Sequence, residues 1–98
     1  MDSPLTALAA LAHPVRFAMI DWLVPGGTHA GDLSLSAQAA FGISPARASQ
    51  HLGVLARAEL VDHRPDGTWR WYSINDGGGE SVAAWLAEVG LSGRGAGR

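Results

Sequence analysis

The sequence predicts a mainly helical α+β fold of five helices and one two-stranded β-hairpin, and three observations carry that expectation. Apolar residues recur at helical spacing behind Pro4, Pro14 and Pro45, each suited to a first helical turn. A short helical stretch, a glycine and a longer helical stretch follow one another between Ser34 and Ala58. Two β-rich runs then flank Pro65-Asp66-Gly67, a strong turn signal.

Taken in order, Leu5, Leu8, Ala9, Leu11 and Ala12 make residues 4 to 12 an apolar helix with almost no polar face. Such a helix needs cover from the rest of the domain or from a second subunit. His13-Pro14 restarts the chain, and the second helix is expected to turn Phe17, Met19, Ile20 and Leu23 inward until Pro25-Gly26-Gly27 stops it. Residues 28 to 33 read as a loop or short strand, and Ser34 or Ser36 as the cap of a small third helix ending at Phe41-Gly42. Ile43-Ser44-Pro45 supplies a hydrophobic residue, an N-cap and a first-turn proline to a fourth helix reaching about Ala58. This order of elements is that of a helix-turn-helix. Val61 to Arg64 and Thr68 to Ile74 form the hairpin behind it, so the architecture is a winged helix-turn-helix. Val82, Trp85, Leu86 and Val89 describe a final amphipathic helix after the loop Asn75 to Gly79.

Composition narrows the function classes. With 98 residues, 47% of them hydrophobic and 16% charged, the chain has room for one packed domain. That domain is expected over residues 1–91, with 92–98 a disordered tail. The apolar run from Leu5 to Ala12 is far short of the roughly 18 to 20 residues of a membrane span, so no membrane partner is expected. Met-Asp-Ser-Pro at the start lacks the basic residues of a secretory signal, which makes the cytoplasm the default expectation. Without cysteine there is no disulfide, thiolate metal site or thiol switch. The carboxylates are scattered, and Ser49 and His51, two apart on a helix, point in different directions, so no catalytic arrangement and no cofactor is expected.

The fourth helix carries the chemistry. A helical wheel of residues 45 to 57 puts Ala48, Leu52 and Leu55 on one face and Ala46, Arg47, Ser49, Gln50, Gly53 and Arg57 on the other. Small residues let a helix axis approach base edges closely. Gln50 has the donor and acceptor to pair bidentately with adenine, and Arg47 reaches guanine or phosphate. Serine hydroxyls such as those of Ser44 and Ser49, and the helix N-terminus, suit phosphate oxygens. Arg64 and Arg70, flanking the wing turn, suit phosphate or a narrow minor groove.

Three segments in register resemble the ArsR-type winged-helix repressors: LAHPVRFAMIDWL (residues 11 to 23), GISPARASQHLGVLARAELV (42 to 61) and PDGTWRWYSI (65 to 74). His13-Pro14-Val15-Arg16 resembles the family's (Asp/His)-Pro-x-Arg opening, Ser49-Gln50-His51-Leu52 its Ser-x-His-Leu core, and Gly67 through Trp71-Tyr72-Ser73-Ile74 its wing. The resemblance implies a homodimer that binds double-stranded operator DNA and represses transcription. It implies pairing through the first helix (Leu5, Leu8, Leu11) and the last (Val82, Trp85, Leu86, Val89). It also assigns Tyr72 and Ile74 to the core. The departures are specific. Glu59 stands where the family usually has glycine, Gly53 and Thr68 replace common basic residues, and the thiolate and last-helix histidine metal motifs are absent.

Other candidates have more than one reading. His13, His29, His51 and His63 form no H-x3-H pair, so no metal site is expected. His51, at the flank of the inner face, either packs or touches phosphate, and Arg16 either braces the domain through an ion pair or contacts DNA. Trp69 and Trp71 either pack against the final helix or form an exposed wing surface. Net charge is -2 with no lysine, yet residues 44 to 74 carry four arginines against three acids. The surface is therefore polarised, and the nonspecific hold on DNA is expected to be weak. An inducing ligand, if there is one, is not legible. The competing function is a winged-helix module that has lost DNA binding and binds a protein.

Overall fold

The computed structural model describes residues 3–93; of the tail expected over 92–98, residues 94–98 lie outside them. Its elements run α1 (Pro4–Leu11), α2 (Pro14–Leu23), β1 (Thr28–His29), α3 (Ala30–Phe41), α4 (Pro45–Arg57), β2 (Val61–Asp66), β3 (Trp69–Ile74) and α5 (Glu80–Glu88). This is the winged helix-turn-helix architecture, with one strand more than the hairpin: the antiparallel sheet has the order β1-β3-β2.

Each of the first two helices opens on a side-chain acceptor followed by proline. Ser3 Oγ accepts from the Leu5 N–H at 3.1 Å and His13 Nδ1 from the Val15 N–H at 3.2 Å. In α1 the alanines Ala7 and Ala10 are buried while Leu5 is 70% exposed, so the small side lies against the domain, Leu5 faces out, and Leu8 and Leu11 are half-buried between. In α2 the buried stripe is Val15, Met19 and Leu23, spaced i, i+4, i+8. Phe17, expected inside, is 61% exposed, because an inward stripe through Met19 and Leu23 begins at Val15 and leaves position 17 on the opposite side.

The third helix also departs from expectation. It begins at Ala30 with His29 as its N-cap residue, so Ser34 and Ser36 lie inside it, and Ser34 Oγ accepts from Gln38 Nε2 at 3.0 Å. The cause is tertiary. Thr28 pairs with Tyr72 and His29 with Trp71, which holds the chain extended up to the point where the helix starts. Gly42, at φ 64, closes α3 in the left-handed conformation.

Helix α4 is capped at its start by Ser44 Oγ, which accepts from the Arg47 N–H at 3.1 Å. At its end the Leu60 N–H donates to the Leu55 carbonyl at 3.1 Å and the Glu59 N–H to the Ala56 carbonyl at 3.0 Å, the two bonds of a Schellman motif. Glu59 takes the left-handed position, φ 61, where glycine is the unstrained choice. The loop behind it follows the turn so closely that a Cβ on Gly78 would collide with the Glu59 carbonyl.

The hairpin pairs Val61 with Ile74 through Asp66 with Trp69, so its turn is Gly67-Thr68 and not Pro65-Asp66-Gly67. Pro65 instead sits in β2, an edge strand, where a missing N–H is tolerated. Tyr72 is buried and Ile74 half-buried, as the resemblance implied. The core gathers Met19, Leu23, Leu33, Leu55, Leu60, Val61 and Tyr72 with small residues of α1, α3 and α4. Helix α5 buries no residue and lies against α1. No helix among the described residues is long and apolar enough to cross a membrane.

Candidate nucleic-acid interface

Burial sorts the faces of α4 as its sequence does. Ala48, Leu52 and Leu55 are buried, whereas Ser44, Ala46, Arg47, Ser49, Gln50 and Arg57 are exposed. Ala46, Gln50, Gly53 and Arg57 run i, i+4, i+7, i+11 along one outward stripe. The Arg57 guanidinium folds back along the helix, so that a Cβ on Gly53 would come within 3.2 Å of Nη1. Arg47 and Gln50 have no side-chain partner among the described residues, and their polar groups face solvent near the N-terminal end of the helix. A surface of small residues with one amide and the Arg47 guanidinium near the N-terminal end, and Arg57 at the far end, suits close approach to base edges.

His51 does not belong to that surface. It is only 7% exposed, and its Nδ1 lies 2.9 Å from Arg16 Nη1 while its ring stands 4.4 Å from that of His13. The expectation of a phosphate contact is therefore corrected in favour of packing. Burial, then the neighbouring His13, Arg16 and Arg47, hold the His51 imidazole below its ordinary pKa. Arg16 braces the domain, but through no ion pair among the described residues. Its Nε donates to the Ala10 carbonyl at 2.6 Å and its Nη2 to the Ala9 carbonyl at 3.3 Å, capping the end of α1.

In the wing, register places Val61, His63 and Pro65 on one face with Ile74, Tyr72 and Arg70, and Asp62, Arg64 and Asp66 on the other with Ser73, Trp71 and Trp69. Arg64 and Arg70 thus project from opposite faces of the ribbon. Arg70 Nη1 approaches His63 Nδ1 at 2.9 Å, and the Arg64 guanidinium stands 5.8 Å from the Trp71 ring. Both arginines remain exposed. The tryptophans do not pack on α5. They meet His29 of β1, with ring separations of 5.7 Å to Trp69 and 5.0 Å to Trp71, and a Cβ on Gly27 would collide with the Trp71 indole. His29 Nε2 in turn lies 3.0 Å from Asp66 Oδ2 near the turn, so β1 holds the wing from one side.

The residues expected at a dimer interface lie on two neighbouring helices, α1 and α5. Leu5, Trp85 and Val89 are exposed, and Leu8, Leu11, Val82 and Leu86 are half-buried.

No family model matches the chain. It is 33% identical over 66 residues to the transcriptional repressor SdpR of Bacillus subtilis, which covers 67% of this chain and 69% of that one. It is also similar to the crystal structure of an ArsR family transcriptional regulator, at TM-score 0.76 and 25% identity over 87% of this chain and 84% of that one. The chain belongs to the ArsR family. Another similar structure is a homodimeric winged helix-turn-helix DNA-binding domain from Mycobacterium bovis, at TM-score 0.63 and 29% identity over 89% of this chain and 74% of that one. Two HTH-type transcriptional regulators of Mycobacterium tuberculosis are 42% identical over 64 residues, and the match spans 54% of their length, about half.

For an ArsR-family chain, the residues that sequence reasoning missed are those that position the interface. His29 and Asp66 are 37 residues apart and Arg16 and His51 are 35 apart, so no local spacing announces either pair. The usable signal for the second was the coexistence of the His13-Pro14-Val15-Arg16 and Ser49-Gln50-His51-Leu52 motifs. Among the described residues no group of three His, Asp or Glu side chains is placed to hold a metal ion.

Proposed function

We propose that this chain is a sequence-specific, DNA-binding transcriptional repressor that acts in the cytoplasm as a homodimer. It is not an enzyme in this reading. The observation that carries the proposal is the outward face of α4: Ala46, Arg47, Ser49 and Gln50 are exposed together on a helix whose other face is locked into the core. Family membership supports the assignment, and the homodimeric neighbour supports pairing through α1 and α5. In the complex, α4 enters the major groove, where Arg47 and Gln50 read bases, each good bidentate contact contributing about 1 to 3 kcal/mol of discrimination. Ser44 and Ser49 donate to phosphate, Arg57 adds charge at the far end of the helix, and Arg64 and Arg70 touch the backbone at the wing. A dimer reads two half-sites about one helical turn apart in an imperfect inverted repeat.

The test is an electrophoretic shift with DNA from the native promoter region. Gln50→Ala relaxes preference at particular base pairs and leaves the salt dependence nearly intact. Arg64→Ala or Arg70→Ala weakens all sequences alike and flattens the slope of log K against log salt by about one unit per lost phosphate contact. If Arg47, Gln50, Arg64 and Arg70 are all replaceable without loss, the groove assignment fails. The scarcity of basic residues, with a net charge of -2, then favours the protein-interaction reading.

A further inference from the structure

The contact between His51 and Arg16 constrains protonation. A guanidinium has only donors, so Arg16 Nη1, 2.9 Å from His51 Nδ1, requires that nitrogen to be bare. His13 is constrained in the same way, because its Nδ1 accepts from the Val15 N–H at 3.2 Å and a backbone N–H only donates. Both imidazoles are therefore neutral, with the proton on Nε2, and their rings stand 4.4 Å apart. Arg16 also donates to the Ala9 and Ala10 carbonyls, so one side chain joins the end of α1, the start of α2 and the inner flank of α4.

We propose that His13 and His51 form a neutral brace that positions the recognition helix, and that protonating the brace releases DNA. The proposal rests on the DNA-binding reading given above and adds a regulation of that same site. A proton on either Nδ1 removes an acceptor, from the α2 cap or from Arg16, and sets a cation beside other cations. The charged and titratable groups facing His51 are Arg16 of α2, His13 before it and Arg47 of α4 itself. From α1 come only main-chain carbonyls already bound to Arg16. Among the described residues, no carboxylate is one of these neighbours to accept the new charge.

The sign follows from the direction of the shift. Burial and cationic neighbours lower the His51 pKa in the folded chain, so a state in which the helix has loosened binds the proton more tightly. The brace is at full strength above the ordinary imidazole value of about 6.5 and weakens as pH falls below it. This sign is opposite to that of an exposed histidine near DNA, whose protonation adds positive charge and strengthens the hold on phosphates.

The experiment measures affinity for a duplex from the native promoter region by fluorescence anisotropy at constant salt, at about pH 7.5 and about pH 5.5. Wild type is expected to bind about tenfold more weakly at the lower pH. In the variant carrying His13→Asn and His51→Asn, the Asn Oδ1 takes the place of each Nδ1 as an acceptor that does not titrate, and Asn is also a strong N-cap. That variant is expected to bind within about threefold of wild type at neutral pH and to lose the acid weakening. Affinity that is constant or tighter in acid, or an equal fall in the variant, overturns the proposal.

A second measurement on wild type alone requires neither DNA nor a substitution. Nitrogen-15 shifts of the imidazoles should show both Nδ1 atoms bare at neutral pH, and the protection of α4 amides, corrected for the intrinsic pH dependence of exchange, should fall as His51 is protonated. A protonated Nδ1 at neutral pH, or unchanged protection of α4 through the titration, also overturns it. Absence of duplex binding at neutral pH defeats the DNA-binding reading and leaves the brace to be decided by these nitrogen shifts and exchange rates.

Discussion

Helices α4 and α5 both carry apolar residues at helical spacing, but they are held in different ways. Helix α4 starts on the Ser44 cap, buries Ala48, His51, Leu52 and Leu55, and ends in a Schellman turn sealed by Leu60. Helix α5 starts at Gly79 with no side-chain cap, buries nothing, and leaves Trp85 and Val89 exposed beside α1. An apolar stripe therefore says that a helix has something to cover, while burial says whether the same chain supplies the cover. In α4 it does. In α5 it does not, and in the function proposed above a second subunit supplies the cover.

The sharpest way to break this comparison is in the core under α4. Leu55 is fully buried, so Leu55→Ala should lower unfolding stability by about 2 to 5 kcal/mol, read by chemical denaturation. A loss below about 1 kcal/mol would mean that α4 is not anchored where it seats Leu55. Next comes Trp85→Ala with Leu86→Ala, which should shift the sedimentation mass from dimer towards monomer at tens of micromolar. In wild type the midpoint of thermal unfolding should rise with protein concentration, and in this variant that dependence should vanish. A monomeric wild type at that concentration would remove the contrast altogether.

Smaller effects sharpen it. Ser44→Ala removes the acceptor for the Arg47 N–H and should cost about 1 kcal/mol with the sedimentation mass unchanged, since the cap serves α4 alone. Glu59→Gly should act in the other direction. Its φ of 61 is strained for any residue with a Cβ, and relief of that strain, less the entropy glycine adds to the unfolded chain, should raise stability by about 0.5 kcal/mol.

Legibility divides along the same line as stability. The cap at Ser44, the helix boundary at His13-Pro14, the glycine closing α3 and the sorting of α4 into inner and outer faces were all local, and local chemistry decided them. Glu59 was marked only by the family resemblance, which places glycine there, and the left-handed φ of 61 came from the structure. The start of α3 was not legible. Ser34 and Ser36 are better caps than His29, but Thr28 and His29 pair with Tyr72 and Trp71, more than forty residues away, and that pairing sets where the helix can begin. Phe17 was misassigned for a related reason. Helical spacing permits several stripes through Met19, and only contact with the other elements selected Val15, Met19 and Leu23.

By itself, then, the sequence determined the helices, the hairpin, their order and the face of α4 that meets solvent, because capping, side-chain period and turn chemistry act over a few residues. Only the tertiary structure decided where each long-range partner lies: Arg16 under the recognition helix, His29 against the wing tryptophans, and Arg64 and Arg70 on opposite faces of the wing. Those contacts depend on how elements far apart in the chain cross in space, and no spacing along the chain encodes that crossing.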